Sequence, residues 1–251
     1  MKKLLSVVLA AACIFTVGCS KEVKKSTIDY DKYKSSDKVN ESVDYNYYNL
    51  IGTDLTVIGK TDAKTYYFDT NVKALADTKK YSVINYVSQP VGDFVAFNYI
   101  LVDGDNVVSE GGSVANTNEN IPENIVTSIS LKVGDKQYVY YASNGEWREK
   151  TRSTDFYNIE IYETGKATAQ YNVKSADGDV QLYMETVEYG DGKTASMFFD
   201  ADGNLVAEGY YKDGTATISK TAKILECDED RINGYIDAVT NKKEDTSSKS
   251  E

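Results

Sequence analysis

Lys166-Ala167-Thr168-Ala169-Gln170-Tyr171-Asn172-Val173-Lys174 alternates residue by residue. Ala167, Ala169, Tyr171 and Val173 share one face of an extended chain, and Thr168, Gln170, Asn172 and Lys174 share the other. A period of two marks a half-buried β-strand, because successive side chains of an extended backbone point to opposite sides. The same pattern recurs upstream, where Val95, Phe97, Tyr99 and Leu101 share a face, and again where Tyr157, Ile159 and Ile161 alternate with Asn158 and Glu160. Between these runs stand Asp103-Gly104, Asn144-Gly145, Thr164-Gly165, Asp177-Gly178, Asp191-Gly192, Asp202-Gly203 and Asp213-Gly214. Asn-Gly and Asp-Gly suit tight hairpins, whose central residues need positive φ. From Gln137 onward the spacing predicts consecutive antiparallel strands joined by short turns. No helix long enough for a parallel crossover lies among them.

The expected architecture is therefore mainly β: an antiparallel meander forming a curved sheet or half-barrel, with a two-sheet sandwich as the alternative. Twenty-one tyrosines agree with this, since aromatic side chains pack well on a pleated surface. Two segments depart from the pattern. Val72, Leu75 and Ala76 have helical spacing and predict one or two helical turns within 71–80. Ile232, Tyr235, Ile236 and Val239 form an i, i+3, i+4, i+7 stripe, which predicts an amphipathic helix at about 229–241 packed on the sheet. Asp228 is placed to cap its start, and Lys242 and Lys243 suit its C-terminal end. Gly234 costs that helix up to ~1 kcal/mol relative to Ala, so packing must supply the difference.

These elements define a single β-rich domain over residues 45–241. The segment before it, from residue 20 to about 44, is rich in Lys, Ser, Asp and Glu and keeps no apolar face, which predicts a disordered tether. A flexible coil of ~25 residues would hold the domain roughly 25–30 Å from its start. Residues 242–251 are a polar tail with the same expectation.

The chain begins with a basic Met1-Lys2-Lys3, continues in an apolar run from Leu4 to Val17, and closes on Thr16-Val17-Gly18-Cys19. Charged start, apolar stretch and small residue, in that order, are the features of a secretory signal. The apolar run of about fourteen residues falls short of the ~20 that a spanning helix needs. With a cysteine directly after Gly18, the segment resembles the lipobox of bacterial lipoproteins. The resemblance covers residues 1–19 only. It implies cleavage after Gly18, a diacylglyceryl thioether on Cys19 and acylation of the new N-terminus. Two or three acyl chains would anchor the protein stably to the extracytoplasmic face of a cell membrane.

Loss of residues 1–18 removes Lys2 and Lys3 and no acid, which takes the formal charge from −11 to −13. A chain this acidic is repelled by nucleic acid, so no nucleic-acid partner is expected. Of three cysteines, the resemblance implies that Cys13 leaves with the signal and that Cys19 is lipidated, which would leave Cys227 as a lone thiol without a disulfide partner. Histidine is absent, which excludes His-dependent triads and His-containing zinc sites.

Candidate chemistry is sparse. Asp200-Ala201-Asp202-Gly203-Asn204 opens like a calcium loop, but position 6 is Leu205 and position 12 is Tyr211, where an EF-hand needs Gly and Glu. A hairpin turn is the expectation. Glu160, Glu163, Glu185 and Glu188 fall in predicted strands without the set separation that glycoside hydrolysis demands. Glu160 and Glu185 alternate with apolar neighbours, as a solvated strand face would. Tyr45, Tyr47, Tyr48, Tyr66, Tyr67, Tyr138, Tyr140, Tyr141 and Trp147 form either an exposed aromatic platform or strand residues with buried rings. Cys227 sits among Glu226, Asp228, Glu229 and Asp230, an acidic setting that raises a thiol pKa and disfavours a nucleophile. No catalytic residue, metal site or cofactor is expected. The predicted role is a non-catalytic lipoprotein that binds a ligand or partner in the envelope. A carrier of lipid or another hydrophobic ligand and an enzyme acting on envelope polysaccharide are the alternatives.

Overall fold

The computed structural model describes residue 39 and residues 44–87, 94–115, 125–151 and 159–240. Twelve strands among these residues form one antiparallel sheet. They are β1 (Asp54–Lys60), β2 (Lys80–Tyr86), β3 (Phe94–Asp103), β4 (Asn106–Ala115), β5 (Ile125–Val133), β6 (Lys136–Tyr141), β7 (Glu146–Glu149), β8 (Lys166–Lys174), β9 (Gln181–Tyr189), β10 (Lys193–Phe199), β11 (Leu205–Lys212) and β12 (Thr215–Glu226). One curved sheet replaces the sandwich alternative.

The spatial order is β1-β8-β9-β10-β11-β12-β2-β3-β4-β5-β6-β7. The meander is thus interrupted: β7 lies at one edge, and β8 to β12 are inserted between β1 and β2. β1 also pairs with β12, Asp54 opposite Thr217, so the pairing runs from β1 through β8 to β12 and returns to β1. The first half of β12 closes this circuit, and its second half passes to β2 through Thr221↔Tyr86 to Glu226↔Tyr81. Asp213-Gly214 behaves as its dipeptide predicts, with φ of 52° and 86° at the β11–β12 turn.

Both faces of the sheet are apolar, and each carries its own core. Val95, Phe97, Tyr99 and Leu101 lie in one, with Leu55, Met184, Phe198 and Ile218. Ile100 and Val102, the intervening residues of β3, lie in the other, with Phe68, Tyr81, Val83 and Phe199. The face of Lys166–Lys174 read from alternation does not hold along its length. Ala167 pairs with Val187 but Ala169 with Thr186, so Thr168 is an extra residue on β8. That bulge reverses the phase of the strand. Ala167 joins the second core, Val173 joins the first, and Gln170 is buried.

Helices cover both faces. α1 (Tyr45–Tyr48) is capped by Asp44 and buries Tyr48. A π-helical stretch, Phe68–Lys73, runs into α2 (Ala74–Ala76) and buries Phe68, Val72 and Ala76; of the residues at helical spacing, Val72 and Ala76 are buried and Leu75 is partly buried. α3 (Glu160–Thr164) stands where alternation predicts a strand; of that run, residues 157 and 158 lie outside the described residues. Ile161 and Tyr162 are consecutive and both buried, which a half-buried strand does not allow. Gly165 ends α3 rather than forming a hairpin, and a Cβ there would meet the Ile161 carbonyl at 2.2 Å. α4 (Glu229–Thr240) buries Ile232, Tyr235 and Val239, and the Asp228 carboxylate accepts from the Arg231 N–H at 3.3 Å. Val39, within the segment read as a tether, is buried, and its carbonyl accepts from the Tyr86 hydroxyl. Packing therefore extends N-terminal to residue 45.

Candidate binding cleft at the strand fork

β11 and β12 separate in mid-sheet, and the cause is local. They pair from Lys212↔Thr215 to Ala207↔Thr221, with Ser219 extra on β12 between Lys220 and Ile218. On its other side β11 pairs with β10, Ala207 opposite Phe198 but Leu205 opposite Phe199, which leaves Val206 extra. Two bulges within a few residues bend both strands, and bulges commonly end pairing in this way. Gly209 permits the tightest approach: a Cβ there would lie 1.9 Å from the Thr217 carbonyl oxygen. Beyond Thr221, β12 continues to Glu226 paired only with β2 among the described residues.

The fork opens a cleft of about 460 Å³. Its walls come from the end of α1, the π-helical stretch, α2, β2, the turn at 200–204, the first residues of β11 and Thr221–Leu225 of β12. Val72, Leu75, Ile84, Tyr86, Leu205 and Val206 supply apolar surface; Asp44, Asn71, Asp200, Asn204, Thr221 and Lys223 supply polar groups. The turn is held by Asp200, whose Oδ1 accepts from the N–H groups of Asp202 (3.0 Å) and Asn204 (2.8 Å), while Asn204 Nδ2 donates to Oδ2 at 2.9 Å. This is the hairpin expected of Asp200–Asn204. Asn71 Nδ2 donates to the Gly203 carbonyl at 2.7 Å and ties the π-helical stretch to the turn.

The electrostatics of the mouth are acidic. The Tyr47 hydroxyl is held above its ordinary pKa by burial and then by the charges of Asp200, Asp44 and Asp202. Thr221, 7% exposed, lines the cleft at the point where the strands part, and its buried hydroxyl has no hydrogen-bond partner among the described residues. Asn85, across from Ala222 on β2, likewise buries a side-chain oxygen without a partner among the described residues.

The acidic residues singled out from the sequence are placed differently from their expectation. Glu160 and Glu163 belong to α3 and reach Lys193 (2.8 Å) and Lys79 (2.7 Å). Glu185 is fully buried rather than solvated. It accepts from the N–H groups of Tyr67 and Phe68 (both 2.8 Å) at the head of the π-helical stretch and from Gln170 Nε2 (2.7 Å). Gln170 Oε1 in turn accepts from the Thr61 hydroxyl at 2.8 Å. Burial pushes the Glu185 carboxyl up, against those donors. Two further buried carboxylates carried no signal in the sequence. Glu110 is held by Arg231 and Tyr235 of α4, and Glu208 by Tyr162 and by Lys220 at 2.9 Å. None of the three lines the cleft.

The tyrosines do not assemble into a platform. Tyr48 and Tyr140 are buried, Tyr67 packs on Tyr183 and Phe199, and Trp147 lies between Tyr140 and Tyr235. Of the nine, only Tyr141 is among the well-exposed large side chains, whereas Tyr210 and Tyr211, which alternation did not mark, are exposed. Cys227 is half-buried, with its thiol pushed up to about 11 by burial and then by Asp103, Glu229 and Asp228. Gly18 and Cys19 lie outside the described residues. Among the described residues no group of His, Cys, Asp and Glu side chains is arranged to hold a metal ion.

No protein-family model matches the chain, and no curated protein matches it either.

Proposed function

We propose that this chain is a lipid-anchored, extracytoplasmic protein that binds a ligand or partner in the cell envelope, without catalysis, through the cleft at the β11–β12 fork. The observation that carries the binding reading is the cleft itself: about 460 Å³, within the range of ligand pockets, and lined by Thr221, whose buried hydroxyl has no partner among the described residues. The anchor reading rests on the order of residues 1–19, ending in Gly18-Cys19. Asp44, Asp200 and Lys223 among the lining residues favour a polar or peptidic occupant over a lipid tail.

The test is native mass spectrometry of the full protein purified from its host in detergent. The expected result is an N-terminal mass carrying acyl groups on Cys19 and a retained species lost on denaturation. Cys19→Ser is expected to release the protein from membranes or leave residues 1–18 attached. Unchanged mass and fractionation of that variant would end the anchor reading, and an empty protein whose cleft slows no amide exchange with any added ligand would end the binding reading.

A further inference from the structure

We infer that the fork between β11 and β12 receives one extended peptide segment of a partner protein, carrying a basic side chain, which adds as a strand along Ala222–Leu225. This rests on the cleft being the binding site and names the class of its occupant.

The backbone argues first. β12 loses β11 after Thr221↔Ala207 but remains extended through Glu226, paired only to β2 among the described residues. Ala222–Leu225 therefore presents a strand edge inside the cleft, about 13 Å long at the ~3.3 Å rise of a strand. A row of main-chain donors and acceptors without a strand partner is a template for another strand. Here it is sheltered within the sheet and not displayed on an outer edge.

The lining argues second. The cleft passes between the two cores: Ile84, Tyr86 and Val206 belong to or pack on one, and Val72, Leu75 and Leu205 on the other. An inserted strand projects successive side chains to opposite faces, so its odd and even residues would each meet an apolar wall. A compact small molecule has no need of two walls related by the pleat. Thr221, at the point of separation, holds a buried hydroxyl ready for a donor or acceptor on the incoming chain.

Charge argues third. Asp44 and Asp200 line the cleft and Asp202 acts on the same Tyr47 hydroxyl, against Lys223 as the one cation among the described lining residues. The whole chain carries −11. A basic side chain on the incoming segment is complementary to this mouth, and an acidic one is repelled.

The experiment uses the full chain in detergent and an array of end-blocked heptapeptides of alternating Val and Thr, with one Lys walked through every position. Hydrogen exchange is followed by mass spectrometry. At least one peptide is expected to slow exchange at Ala222–Leu225 by tenfold or more. Lys→Glu in that peptide, or N-methylation of its alternate amides, should weaken binding at least tenfold. Asp202→Lys in the protein, at an exposed position, should do the same, and Val206→Trp, which fills the fork, should abolish binding. Peptides that slow exchange only elsewhere, or that bind equally with Glu for Lys, overturn the inference. If the array fails while native mass spectrometry finds a retained small molecule, the strand inference falls and the cleft reading stands. If both fail, both fall.

Discussion

Arg231 of α4 grips Glu110 of β4 with two guanidinium nitrogens, Nη2 reaching Oε2 at 2.8 Å, across 121 residues of sequence. The Tyr235 hydroxyl donates to Oε1 of the same carboxylate at 2.9 Å. Glu110 is fully buried; burial pushes its carboxyl up, and the guanidinium and the phenol oppose that. The C-terminal helix is therefore pinned in register by a charge pair as well as by Ile232, Tyr235 and Val239.

Arg231→Ala is expected to destabilise the protein by about 3–5 kcal/mol, because it leaves Glu110 buried and uncompensated. Glu110→Leu combined with Arg231→Leu should cost much less than the sum of the single changes. Urea unfolding of the four proteins in a double-mutant cycle measures the coupling.

Glu185→Gln exchanges an acceptor for a donor beside the N–H groups of Tyr67 and Phe68, at an expected cost of about 1–3 kcal/mol. Its pH dependence has a defined sign. Because the folded carboxyl is pushed above its ordinary 4.5, the folded state keeps its proton to higher pH than the unfolded chain. The stabilisation from this group is complete below that value and is lost as pH rises through the folded pKa. The difference in urea midpoint between wild type and Glu185→Gln should therefore move in favour of the variant between pH 4.5 and pH 7.

Gly209→Ala should destabilise by about 1–3 kcal/mol or more, since its Cβ would collide with the backbone at Thr217 and force the two bulged strands apart. Gly59→Ala is the control: its Cβ meets nothing within 4 Å and should change stability by no more than about 0.5 kcal/mol. Thermal unfolding of both variants checks the contrast.

Cys227 should alkylate slowly in the folded protein. With its thiol near 11, little thiolate exists at pH 8, and iodoacetamide labelling followed by peptide mapping should run about a hundredfold slower than in urea.

Much of the strand content was legible because hairpins are local: Asp-Gly and Asn-Gly turns and two-residue alternation are short-range signals, and β3 shows its predicted face. The C-terminal helix was legible for the same reason, its stripe and its Asp228 cap being within one element. Alternation misled at two places. At Thr168 a bulge inserts one residue and reverses the phase, which only the partner strand β9 reveals. At Ile159–Ile161 the alternation extends over too few residues to exclude one turn of helix, which buries the adjacent Ile161 and Tyr162, and contact with β9 and the π-helical stretch decides for the helix.

The cleft was not legible at all. Its lining is drawn from residues 44 to 225, and it exists because Val206 and Ser219 have no partners opposite them. Glu185 and Glu110 look like surface residues in sequence, because most of the donors that compensate their burial, Tyr67 and Phe68 for the one and Arg231 and Tyr235 for the other, lie more than a hundred positions away.

By itself the sequence determined most of the strands and turns, the C-terminal helix, the acidic balance and the export-like start at residues 1–19, all of which rest on neighbours in the chain. Tertiary structure alone decided the strand order, the two cores, the buried carboxylates and the fork, because each depends on which distant strand supplies a pairing partner and where that pairing stops.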